Sequence, residues 1–135
     1  MKFIRQKMKA NELRIGNKVY WGVNIVSIVG IHTQTYPNSD NKRPITIYID
    51  PVGNMHYYPI EENNITPIPL TEEWLLKFGF EKDSDGYLIY MKSRIFIEFT
   101  TRGHYEISEY DTEIKYVHQL QNLYFALTGN ELEIK

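Results

Sequence analysis

The side chains of this chain that could hold or act on another molecule are four histidines, seventeen carboxylates and eleven tyrosines. His32, His56, His104 and His118 stand singly, with no pair four apart on a helix face and no carboxylate at a recurrent ligand spacing, so no zinc site is expected. A metal centre would have to be assembled from distant residues such as His56, His104 and an acid. Cysteine is absent, which removes thiolate nucleophiles, thiolate metal sites and disulfides together. No Gly-x-Gly-x-x-Gly, phosphate-binding loop or Gly-x-Ser-x-Gly elbow occurs. The acids group at Glu61-Glu62, Glu72-Glu73 and Asp83 to Asp85. Carboxylate pairs of the glycosidase kind are spatial, but these groups have plainer roles: Glu72 and Glu73 offset a helix dipole, and Asp83 and Asp85 belong to a turn. The expectation is a non-enzyme with no catalytic residue, no metal and no cofactor.

Tyrosine points elsewhere. Its ring is apolar and its tip wet, which suits it to interfaces, and aromatic residues make up 14% of the chain. Tyr48, Tyr57 and Tyr58 fall on a sheet among polar neighbours, where they either form an exposed platform for a partner or pack across strands. A second candidate surface is the amide-rich side of the last helix, His118, Gln119, Gln121 and Asn122, with His118 and Asn122 as contacts. Exposed helix faces more commonly carry lysine and glutamate. The alternative is nucleic acid, with Lys7, Lys9, Arg14 and Lys18 on phosphates and the sheet tyrosines stacking on bases. Against it stands a net charge of −2, where phosphate-gripping proteins show a basic excess.

These residues must be positioned by one small domain's worth of chain. At 135 residues, 42% hydrophobic and 24% charged, the composition is that of an ordinary globular protein. The basic start, Met1 to Lys9, is followed by Ala10-Asn11-Glu12-Leu13-Arg14, not by an apolar run and cleavage site, so it reads as no signal peptide; Met8 is an alternative start. No window nears the roughly 18 apolar residues of a membrane span, and a cytoplasmic protein without membrane contact is expected.

Strand signals dominate the first half. Leu13 to Asn17 forms a turn, and Lys18 to Ile31 is rich in β-branched and aromatic residues, with two strands meeting near Gly22. Residues 32 to 44, with two prolines and no apolar period, read as a long exposed loop. Ile45, Ile47 and Ile49 alternate with Thr46 and Tyr48, and Met55 to Ile60 returns as a partner strand. Pro67 and Pro69 keep Ile65 to Leu70 out of a sheet centre. In the second half Thr71 caps a short helix that buries Trp74, Leu75 and Phe78 and stops at Gly79. A three-stranded meander follows through Tyr87–Met91, Arg94–Phe99 and His104–Ile107. A closing helix from about Thr112 to Thr128 lays Val117, Leu120, Tyr124 and Leu127 on the core. The fold class is α+β: an N-terminal small antiparallel β-barrel-like, SH3-like sheet, a short helix, then a three-stranded meander packed by a C-terminal helix. Any boundary lies near Pro69, dividing 1–68 from 69–135.

The segments Lys9 to Asn17, Ile65 to Phe80 and Tyr116 to Gly129 resemble a family of small uncharacterised proteins encoded by gut bacteria, their prophages and phages. The resemblance carries over no catalytic residue. It implies a mobile-element setting, in which small accessory proteins bind other proteins, virion parts or nucleic acid. The leading expectation is a protein-binding or assembly module whose partner is another protein or a second copy.

Overall fold

The computed structural model describes residues 8–33, 45–53, 57–84, 88–107, 109–110 and 112–135. The architecture is α+β, in two compact units, Met1–Ile68 and Pro69–Lys135.

In the first unit Asn17 anchors the opening turn. Its Oδ1 accepts the Arg14 amide at 2.7 Å while its own carbonyl accepts the Ile28 amide, so a polar side chain 1% exposed finds local partners. The strands β1 (Lys18–Trp21), β2 (Asn24–Thr33), β3 (Ile45–Asp50), β4 (Tyr58–Glu61) and β5 (Ile65–Thr66) form one antiparallel sheet, ordered β4-β3-β2-β1-β5. A 3-10 turn at Glu62–Asn64 joins β4 to β5, and Glu62 accepts the Ala10 amide at 3.0 Å. The sheet is curled into a half-barrel. Its inner face carries Val19, Val26, Ile28, Ile47, Ile49, Ile60 and Ile65, all buried, because alternation turns every second residue inward. A register shift between Ile28 and Gly30 sets Gly30 opposite Tyr48. A Cβ at Gly30 would lie 3.3 Å from the Tyr48 ring, which covers that glycine. Pro59 sits on the edge strand β4, where a missing backbone donor blunts pairing with another chain.

The second unit begins with α1 (Glu72–Lys77), whose Thr71 hydroxyl accepts the Trp74 amide at 3.4 Å. Trp74, Leu75 and Phe78 are all buried, as their spacing requires. At the other end Lys92 donates to the Phe78 carbonyl, placing a cation at the helix C-terminus. The meander is present as β7 (Ile89–Lys92), β8 (Ile95–Phe99) and β9 (Tyr105–Ile107), and it is widened to five strands by two short edges, β6 (Glu81–Lys82) and β10 (Thr112–Ile114). Strands of two and three residues leave no period to read. The expected helix start at Thr112 is therefore corrected: Thr112 pairs with Ile107 in the sheet, and α2 runs Val117–Thr128. The Gln119 side chain accepts the Lys115 and Tyr116 amides at 2.9 and 3.2 Å, which fixes the helix start five residues later than expected. Gly129, at φ 74°, ends the helix in the left-handed conformation. Leu127 is 46% exposed and so leaves the expected core stripe, while Val117, Leu120 and Tyr124 are buried. No helix among the described residues is long and apolar enough to cross a membrane.

The β7–β8 hairpin turns on Ser93 and Arg94, at φ 49° and 66°. Two-residue turns of this hand favour Asn-Gly, because other residues meet a Cβ clash there. Ser93 has a compensation, its hydroxyl lying 2.9 Å from that of Tyr124. Arg94→Gly is expected to raise the unfolding free energy by about 1 kcal/mol in urea denaturation, and Arg94→Val to lower it.

Candidate functional site

A curled sheet that stops short of closure leaves a seam between its edge strand and the strands at its other end. Trp21, at the end of β1, and Tyr58, at the start of β4, meet across this seam with ring centroids 5.4 Å apart and planes tilted by 45°. Both follow from alternation: Trp21 stands two residues from inward Val19, and Tyr58 two residues from inward Ile60. Trp21 is half-buried and packs on the unit's core, whereas Tyr58 is 52% exposed. Beside them lies an open groove of about 550 Å³, lined by these two rings and by Thr46, Pro59, Ile60, Glu61 and Asn64. Tyr57, one residue before β4, is 65% exposed. Among the described residues the groove therefore has an apolar aromatic wall, the neutral residues Thr46 and Asn64, and one acidic residue, Glu61. That composition can hold a polypeptide segment by ring contact and fix its direction by hydrogen bonds and charge.

Of the three expected tyrosines, Tyr58 lines the groove, and Tyr57 is exposed next to it in the chain. Tyr48 is half-buried and spends its ring on Gly30, the cross-strand role weighed beside the platform role. Trp21 was not singled out from the sequence; its partnership with Tyr58 depends on the curl of the sheet, which no local pattern encodes.

The amide face of the last helix is corrected. His118 and Gln121 are each 2% exposed, Asn122 is half-buried, and the His118 ring stacks on Tyr116 at 5.8 Å. Of this side His118 and Gln121 are used inside the fold, whereas Gln119 is exposed and Asn122 half-buried, so His118 is not a solvent-facing contact. Lys7 lies outside the described residues, as do His56 and most of the expected 32–44 loop. Lys9 is exposed and Arg14 half-buried, while the Lys18 ammonium donates to Ser27 at 2.6 Å. His104 lies 3.0 Å from the Glu106 carboxylate, which Arg102 approaches at 3.8 Å. Among the described residues no three His, Asp or Glu side chains converge as a metal would need.

The second unit contains its own polar cluster. The Glu72 carboxylate accepts from Lys82 at 3.0 Å, which draws its pKa below the ordinary value. Tyr90, 2% exposed, lies within reach of Glu72, and burial together with that negative charge pushes its phenol up to about 12. Burial and Glu72 push the Tyr105 phenol up as well. A phenol held neutral is an anchor, not a general base near neutral pH. A smaller hollow of about 250 Å³ lies by the Ser93–Arg94 turn, with Phe96, Tyr110 and Leu127 on its walls and Arg94 and Glu109 as its charges.

Comparison of the chain with protein-family models, curated proteins and solved structures returns no match.

Proposed function

We propose that this chain is a non-enzymatic protein-binding or assembly module, with the groove at Trp21 and Tyr58 as its contact surface. The observation that carries the reading is the ring pair of Trp21 and Tyr58, the latter 52% exposed, lining a groove at the unclosed seam of the sheet, with exposed Tyr57 next to Tyr58 in the chain. Solvent-facing tyrosine and tryptophan around a concavity are what binding sites concentrate, because large rigid rings contribute contact area at little entropic cost. The strand order and the 3-10 turn before the last strand support an SH3-like description of this unit. The family resemblance supports an accessory role in a bacterium or phage, acting in the cytoplasm.

The test is affinity capture from lysate of the cells that make the protein, with and without nuclease, using the intact chain and a Tyr57→Ala/Tyr58→Ala variant. A discrete protein retained after nuclease by the intact chain, and lost with the variant, is the expected outcome. Recovery of nucleic acid, with protein lost on nuclease treatment, would replace this reading by the nucleic-acid alternative.

A further inference from the structure

We propose that the groove recognises an arginine side chain on an extended segment of its protein partner, an inference that rests on the groove being the contact surface. Charge complementarity carries it. Among the described residues the one charged residue lining the groove is Glu61, and it stands on the same short strand as Tyr58. Glu61 is exposed and lies opposite Thr46 in the β3–β4 register, and both residues line the groove. A cation within about 6 Å of an aromatic centroid is attracted by the ring face, most strongly by tryptophan. Arginine suits this pairing better than lysine, since a planar guanidinium stacks on a ring while its N–H fork reaches a carboxylate. The same chemistry recurs within this chain: Lys77 lies 5.1 Å from the Trp74 ring centroid and Lys92 5.6 Å from that of Tyr124. Those aromatic faces take a cation from the chain itself. Trp21 and Tyr58 have each other, at 5.4 Å, and share their groove with Glu61. Pro59 and Ile60 offer the apolar surface along which the methylene stem of an arginine packs.

The experiment titrates the full chain with a synthetic nine-residue peptide of glycine, serine and proline around one central arginine. The control replaces that arginine by citrulline, its neutral isostere. Two-dimensional NMR follows the indole N–H of Trp21, with that of buried Trp74 as internal reference. The arginine peptide is expected to shift the Trp21 signal and leave Trp74 in place. Citrulline in the peptide, or Glu61→Gln in the protein, is expected to weaken binding about two- to fivefold. Equal binding of both peptides, unaffected by Glu61→Gln, overturns the arginine inference and leaves the groove reading standing. No shift of Trp21 with the arginine peptide up to about 5 mM also overturns the inference. The groove reading itself is tested by the capture experiment and falls if the partner is retained by the Tyr57→Ala/Tyr58→Ala variant, so the two failures are distinguishable.

Discussion

Truncating Tyr90 to alanine is expected to cost about 3–5 kcal/mol of folding stability, a large share of the roughly 5–15 kcal/mol that a domain commands. Tyr90 is 2% exposed on β7, between Ile97 on β8 and Lys82 on β6. Its ring lies 6.1 Å from Tyr105 in an edge-on contact and 6.0 Å from the Lys82 ammonium. Removing it leaves a cavity that neighbouring strands, held in register, do not collapse to fill. Tyr90→Phe keeps the ring and loses only the hydroxyl with its Glu72 interaction, at about 1 kcal/mol. The two variants separate further in alkali. In the unfolded chain a tyrosine ionises near pH 10, whereas folded Tyr90 does so at about 12. Between these values the unfolded state has released a proton that the folded state still holds, so rising pH favours unfolding; below pH 10 the difference vanishes. The span corresponds to roughly 2–3 kcal/mol lost by pH 12. Urea denaturation at about pH 9 and pH 11.5 is expected to show this loss in the intact chain and a flatter response in Tyr90→Phe. Tyr105, shifted in the same direction, contributes to the slope that remains.

Tyr58→Ala is expected to weaken partner binding at least about thirtyfold, the loss of roughly 2 kcal/mol typical of a buried aromatic anchor. Half-exposed in the free chain, Tyr58 contributes little to the core, and the same substitution is expected to change folding stability by less than about 1 kcal/mol. Tyr58→Phe preserves the ring and is expected to bind within about threefold of the intact chain. Trp21 offers no comparable separation, because it also packs on the hydrophobic core of its unit. Titration calorimetry with the captured partner, paired with urea denaturation of each variant, checks both effects.

Much of this fold is legible wherever a period runs long enough to fix a face. Ile45, Ile47 and Ile49 announce β3 by strict alternation, and Thr71 with Glu72, Glu73 and Gly79 brackets α1 from both ends. The edges are illegible for the opposite reason. Glu81–Lys82 and Thr112–Ile114 are shorter than one cycle of evidence, and pairing with a neighbour, not local propensity, makes them strands. The amide side of α2 misleads because composition reads polar residues as solvated. His118 and Gln121 are instead buried with interactions of their own, which only tertiary structure supplies. The site is half legible. Tyr57 and Tyr58 carry a composition signal, but Trp21 joins Tyr58 through a curl accumulated over several strands.

The groove is tested most directly by site-specific photo-crosslinking in the cells that make the protein, with a photoreactive phenylalanine analogue at position 57 in one variant and at position 125 in another. Tyr57 is 65% exposed and adjoins groove-lining Tyr58 in the chain; Phe125 is 39% exposed on the last helix of the second unit. A discrete protein adduct from position 57 and none from position 125 is the predicted result. An adduct from position 125 alone, or nucleic acid in place of protein at position 57, would contradict the assignment of the groove as the protein-binding surface.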